Sequence, residues 1–136
     1  MMRKELDDLL CERYPLIFAN RHSGCMQWGF SCKDGWFDLI DTLCERLQFW
    51  TDRNKAPQVV AKQVKEKFGY LCFYVCGGND EQKGMIRMAE GMSGRLCECC
   101  GKPGTTFEHN AWWMTRCEEH SPDGINPIVG RKLSDV

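Results

Sequence analysis

Two short pairs of metal-binding residue types lie close together near the end of the chain. Cys97 and Cys100 form a C-x2-C pair followed by Gly101, and after sixteen residues Cys117 and His120 form a C-x2-H pair. Thiolates and imidazoles at this spacing are typical ligands of a tetrahedral zinc site. We therefore predict one zinc ion held by Cys97, Cys100, Cys117 and His120. Four protein ligands leave no position for water, so this zinc is expected to stabilise the fold and not to catalyse.

An extra thiol and a second histidine lie near these four residues. The C-x2-C-G register selects Cys97 and Cys100, because the following glycine lets the backbone turn beneath a metal, and it leaves Cys99 as a spare thiol. His109 is the only serious substitute for His120.

A second metal site is a weaker hypothesis. His22 and Cys25 form an H-x2-C pair that could combine with Cys32 and Cys44. No knuckle glycine follows Cys25 in register, and Cys44 falls on the apolar side of a predicted helix. Core thiols and a surface histidine are the simpler interpretation.

The predicted zinc ligands need a compact support. Residues 102–116 are long enough for a hairpin, with residues 111–115 as its return strand. The C-x2-C-G turn, or zinc knuckle, followed by this hairpin and the C-x2-H turn predicts a treble-clef or zinc-ribbon-like module over residues 95–120. The overall fold class is then α+β: a small helical and β core over residues 1–94, with the structural zinc module packed on it. Residues 121–136 are predicted to be an extended or disordered tail.

Hydrophobic periodicity predicts the elements of the core. Val60, Val64 and Phe68 recur at helical spacing between Pro57 and Gly69, which suit a helix start and end. A continuous run of strand-forming residues follows, which predicts a covered strand. The full set comprises helices over residues 2–13, 36–51, 58–68 and 79–93, and strands over residues 26–32 and 70–76.

Composition narrows the class of protein. The 136 residues carry 18 Lys+Arg and 19 Asp+Glu, a net charge of -1, which gives no broad cationic field for nucleic acid or membrane. The charged N-terminus lacks the apolar centre of a signal peptide, and no segment resembles a membrane span. We therefore expect a cytoplasmic protein whose ten cysteines are reduced.

The favoured function is binding of a protein partner, without catalysis. Trp112 and Trp113 are the preferred contact residues, because adjacent strand residues face opposite ways and one can be exposed. The other large side chains are expected to pack inward, namely Trp28, Trp36, Trp50, Met85, Met88 and Met92.

Two other functions stay open. Lys102 and Arg116, with Arg95, Arg131 and Lys132, could bring the zinc module to nucleic acid. An HNH-type nuclease would need a histidine base on the hairpin, for which only His109 is a candidate. No catalytic residue is predicted, since no hydrolase triad, phosphate-binding loop or dinucleotide fingerprint is present.

The chain resembles a family of small, uncharacterised zinc-binding proteins encoded by bacteria and their phages. The resemblance rests on the block from Trp28 to Phe37, on the segment Gln63 to Val75, and on the C-x2-CG and C-x2-H pairs. It implies a zinc-containing α+β domain and a role as a phage or mobile-element accessory protein that engages or inhibits a host protein, such as a defence protein. It implies no enzymatic activity.

Overall fold

Three helices and two β-hairpins make up the described part of the chain, residues 1–123 of a computed structural model. The mixed α+β class is thereby confirmed. In chain order the elements are α1 (Lys4–Arg13), α2 (Phe37–Asn54), β1 (Val60–Lys67), β2 (Tyr70–Cys76), α3 (Asp80–Ser93), β3 (Thr105–His109) and β4 (Trp112–Arg116). Two short 3-10 helices, Gly24–Trp28 and Asp34–Trp36, precede α2.

The helix predicted over residues 58–68 is wrong, because this segment is strand β1. It pairs antiparallel with β2, from Val60 opposite Cys76 to Lys67 opposite Tyr70. The connecting residues Phe68 and Gly69 have φ of 51° and 84°, as a two-residue hairpin turn of the I′ type requires. A spacing of four residues is even, so it also suits a strand, and the strand β2 supplied the partner that decided between the two.

The strand predicted over residues 26–32 is also wrong. Residues Gly24–Trp28 form a 3-10 helix, and only Ser31 pairs in a β-bridge, with Lys65 of β1. Trp28 is 70% exposed, not buried as predicted, whereas Trp36 is fully buried. Trp50 lies between the two, half-buried on α2.

Helix α3 packs against both α2 and β2. Its N-terminus carries a capping box between Asn79 and Gln82, at the start of the helix predicted over residues 79–93. Ser93 and Glu90 accept hydrogen bonds from the free-edge amides of Leu71 and Phe73, which covers the open side of β2. The predicted inward packing of methionines fails at Met88 and Met92, which are 68% and 37% exposed.

Two further predictions concern membrane-spanning segments and the C-terminal tail. Within residues 1–123, no helix combines the length and apolarity that crossing a membrane requires. The predicted tail over residues 121–136 falls mostly outside the described residues, which end at Asp123.

Candidate metal centre

The first ligand pair lies on a tight backbone turn. The Gly101 amide donates to the Cys97 carbonyl at 2.8 Å, and the Cys97 amide donates to the Lys102 carbonyl at 2.7 Å. Gly101 has φ of +80°, and a Cβ there would lie 2.9 Å from the Gly35 carbonyl oxygen. Glycine suits this position because it adopts a left-handed backbone without strain and leaves room for the nearby Gly35 carbonyl.

The second ligand pair is returned to this turn by the hairpin β3–β4. Asn110 and Ala111 connect the strands, with φ of 51° and 66°, so this hairpin also has a two-residue turn of the I′ type. Strand β4 ends at Arg116, directly before Cys117. A turn follows in which the Ser121 hydroxyl donates to the Cys117 carbonyl at 2.6 Å. This turn places His120 beside Cys117.

The four predicted ligand residues converge on one point. Their ligand atoms all lie within 4.8 Å of one another. The Cys100 and Cys117 sulfurs are 3.7 Å apart, and His120 Nδ1 lies 3.2 Å from the Cys117 sulfur and 3.8 Å from the Cys97 sulfur. Cys97 and Cys117 are buried, whereas Cys100 and His120 are exposed. This three-thiol, one-imidazole cluster could bind a metal ion.

The protein environment shifts the pKa values of Cys97 and Cys100 in opposite directions. Burial alone would raise the pKa of Cys97, but the amides of Cys117, Cys100 and Cys99 point at its sulfur and lower the pKa below its ordinary value. Desolvation and the thiols of Cys117 and Cys97 raise the pKa of Cys100 to about 11. One thiolate is thus stabilised by the backbone, and a second beside it is disfavoured unless a cation neutralises the pair.

A buried ion pair fastens the turn of residues 97–101 to the rest of the protein. The Glu98 carboxylate is 3.0 Å from Arg116 Nη1, and these side chains are 6% and 13% exposed. Its other oxygen accepts the Lys33 amide at 3.0 Å. The Glu98 backbone continues the connection, since its amide donates to the Thr115 carbonyl at 3.0 Å and its carbonyl accepts the Gly35 amide at 2.7 Å. Glu98 is therefore a central structural link.

The indole of Trp36 adds a contact between the core and the turn of residues 97–101. Its Nε1 donates to the Leu96 carbonyl at 3.0 Å, one residue before Cys97. Gly35 lies so close that a Cβ there would overlap the Cys97 and Glu98 carbonyl groups. The core segment 33–36 is thus fitted to the turn with no room for a side chain at residue 35.

The competing ligands lie outside this cluster. His109 stands at the end of β3, where its Nε2 lies 3.1 Å from the Asn110 side chain. Cys99 is half-buried and is not one of the converging ligands. Cys97, Cys100, Cys117 and His120 form the only such group of His, Cys, Asp and Glu side chains in residues 1–123, so His22, Cys25 and Cys32 assemble no second site there.

The residues expected to contact a partner have different surroundings. Trp112 is 73% exposed and Trp113 is 45% exposed, at the end of the second hairpin. Lys102 is exposed beside Glu119, with 3.7 Å between its Nζ and the carboxylate. Arg116 differs from the expectation, because its guanidinium turns inward to Glu98 and is not displayed to a partner.

Sequence reasoning missed the exposed aromatic residue that lies beside Trp112 and Trp113. Phe68, at the turn of the first hairpin, is 69% exposed and lines the same cleft as Trp112 and Trp113. We call these three residues the aromatic tip surface. The available signal was the Phe68-Gly69 dipeptide between two segments able to pair, but phenylalanine is unusual in such a turn. Glu98 was missed too, since a glutamate inside a cysteine turn reads as surface charge.

Comparison with protein-family models, with curated proteins and with solved structures finds no match to this chain.

Proposed function

We propose that this chain is a small zinc-stabilised module that binds another protein without catalysing a reaction. The observation that carries the proposal is the aromatic tip surface, where Phe68, Trp112 and Trp113 are grouped in the open at the ends of two hairpins. Exposed aromatic side chains concentrated in one place are typical of protein interaction sites.

Zinc is the metal that suits the cluster. A tetrahedral zinc with Zn–S of about 2.3 Å places two sulfurs about 3.8 Å apart, and with Zn–N of about 2.0 Å it places sulfur and nitrogen about 3.5 Å apart. The observed S–S distance of 3.7 Å and S–N distances of 3.2 and 3.8 Å agree with these values. Three thiolates also favour zinc over magnesium or calcium. With four protein ligands its role is structural.

Backbone strain at both tips supports a function for this surface. Phe68 and Ala111 have positive φ. This backbone conformation costs most residues roughly 1 kcal/mol more than it costs glycine or asparagine. Both residues line the cleft of the aromatic tip surface. Such strain persists where a side chain has a use other than folding, and contact with a partner is such a use.

The sequence resemblance supports a particular setting for this binding. We propose a phage or mobile-element accessory role in the cytoplasm of a bacterial host, where the partner is a host protein such as a defence protein. Nucleic acid is a weaker alternative, because Arg116 is engaged by Glu98 and Lys102 lies beside Glu119.

Paired tryptophan variants test the proposal. Trp112 and Trp28 are 73% and 70% exposed, and Trp28 lines a different cleft with Met1 and Arg21. The zinc-loaded protein and its Trp112→Ser and Trp28→Ser variants are each used to capture proteins from a bacterial lysate. We expect a captured protein that Trp112→Ser loses and Trp28→Ser keeps. Equal capture by both variants, or nuclease-sensitive capture, would contradict the proposal.

A further inference from the structure

We propose that the aromatic tip surface receives an extended peptide segment of its partner, which pairs with the edge of β4 at Trp113 and places an apolar side chain between the two hairpin tips. This inference rests on the proposed function and names the form of the partner. It follows from the shape of the cleft, from the hydrogen-bonding groups on its edge and from the charge at its rim.

The cleft is formed by two separate hairpins. It has a volume of about 470 Å³ and is lined by Glu66, Lys67, Phe68, Ala111, Trp112 and Trp113. The hairpins are fixed to each other beneath it, because the buried Thr115 hydroxyl donates to the Gly69 carbonyl at 2.6 Å. A Cβ at Gly69 would lie 2.9 Å from Thr106, so the first turn sits directly on the second hairpin. The cleft is therefore preformed.

The edge of β4 beside this cleft presents free backbone groups. In an antiparallel ladder, alternate residues direct both their N–H and C=O groups away from the partner strand. The Thr115 carbonyl points outward in this way, since it accepts the Glu98 amide at 3.0 Å. Trp113 lies two residues earlier, so its N–H and C=O lie on the same edge. Within residues 1–123 these two groups have no hydrogen-bond partner on that side.

The free N–H and C=O of Trp113 favour an extended peptide over a helix as the partner. The backbone groups of a helix are already bonded within the helix, whereas an extended peptide can exchange one hydrogen bond in each direction. A related pairing, a parallel bridge that uses groups of two residues, occurs inside the molecule on β1. There the Ser31 amide donates to the Val64 carbonyl, and the Ser31 carbonyl accepts the Glu66 amide, both at 2.9 Å. Two such bonds join Ser31 to the edge of β1.

Charge at the rim indicates the residue next to the apolar side chain. Glu66 is engaged, because its carboxylate accepts the Gly69 amide at 2.6 Å. Lys67 is exposed, lies with its Nζ 5.8 Å from the Phe68 ring centroid, and has no ion-pair partner among the described residues. We therefore expect a bound peptide to carry an acidic residue close to its large apolar residue.

The test uses a displayed library of random linear dodecapeptides and the zinc-loaded full-length chain. We expect enrichment of peptides that combine a large apolar residue with a neighbouring Asp or Glu. Binding of a synthetic copy should fall at least tenfold in Phe68→Asn, which keeps a residue tolerant of positive φ, and stay unchanged in Trp28→Ser. Single N-methylation of the peptide backbone should weaken binding about tenfold at the position paired with Trp113 and much less at the positions beside it.

The outcomes separate this inference from the proposed function. If no linear peptide is enriched while Trp112-dependent capture of a protein persists, the inference of an extended peptide is wrong and the proposed protein-binding function is retained. If neither is seen, both the inference and the proposed function are wrong. Peptides whose binding ignores the position of N-methylation would overturn the strand pairing. A concentration-dependent dimer that Phe68→Asn abolishes would show instead that a second copy of the chain fills the cleft.

Discussion

Replacing Arg116 with methionine should destabilise this protein more than replacing Arg116 and Glu98 together. The Glu98 and Arg116 side chains are only 6% and 13% exposed, so water can screen neither charge effectively. Without Arg116, the Glu98 carboxylate keeps only the Lys33 amide at 3.0 Å as a hydrogen-bond donor. An unpaired buried carboxylate of this kind costs about 3–5 kcal/mol of folding free energy.

The reciprocal substitution should cost less. Glu98→Gln keeps an oxygen for the Lys33 amide, and the guanidinium left behind still donates to the Thr115 carbonyl at 3.1 Å. A loss of about 2 kcal/mol is expected for the missing charged hydrogen bond. The double variant has no buried charge, so its loss should fall short of the sum of the single losses by about 3 kcal/mol, which leaves it smaller than the loss in Arg116→Met alone.

Urea unfolding of the four proteins with zinc in excess, followed by tryptophan fluorescence, measures this coupling. The exposed pair Arg46 and Glu45, at 52% and 60% exposure, provides the control, because Arg46→Met should change stability by no more than about 0.5 kcal/mol. Additive single losses, or an Arg116→Met loss as small as that of Arg46→Met, would refute the claim that this ion pair fastens the turn of residues 97–101 to the core.

Three further outcomes follow from backbone geometry and burial. Ala111→Gly should stabilise the protein by about 1 kcal/mol, since Ala111 has φ of 66°, and a lower urea midpoint would contradict it. Gly101→Ala should weaken metal retention in a chelator competition about tenfold, because φ is +80° and the new Cβ would crowd the Gly35 carbonyl; an unchanged competition curve would be evidence against that fit. Burial raises the pKa of the Cys32 thiol to about 12, whereas in the unfolded chain it is near 9. Between these pH values the thiol is protonated in the folded state and ionised in the unfolded state. Stability should therefore fall between pH 9 and 12 by up to about 1.4 kcal/mol per pH unit, and a Cys32→Ala variant with the same alkaline slope would exclude this thiol as a cause.

The convergence of Cys97, Cys100, Cys117 and His120 was predictable from sequence because its constraint is local. A C-x2-C turn closed by glycine and a C-x2-H turn each bring two of these side chains together within a few residues, and the hairpin between them is short. The three helices were also predictable, since the apolar residues of α2 and α3 follow the helical period over several turns. These features depend on neighbouring residues alone.

The errors arose where a distant segment decides the structure. Val60, Val64 and Phe68 fit a helix and a strand equally, and pairing with β2 selects the strand. The Phe68-Gly69 turn was hidden because an aromatic residue with positive φ contradicts ordinary turn preferences. The role of Glu98 depends on Arg116, eighteen residues away, and on Lys33, sixty-five residues away. No local pattern encodes those contacts.

Zinc-edge X-ray absorption on the purified protein, combined with native mass spectrometry, tests the central claim most directly. We expect one zinc per chain, bound by three sulfur atoms at about 2.3 Å and one nitrogen atom at about 2.0 Å, with no bound water. The same measurement on Cys117→Ser should show loss of zinc or of one sulfur ligand. A wild-type site with four sulfurs, with an oxygen ligand or with no stoichiometric zinc would contradict a closed centre formed by Cys97, Cys100, Cys117 and His120.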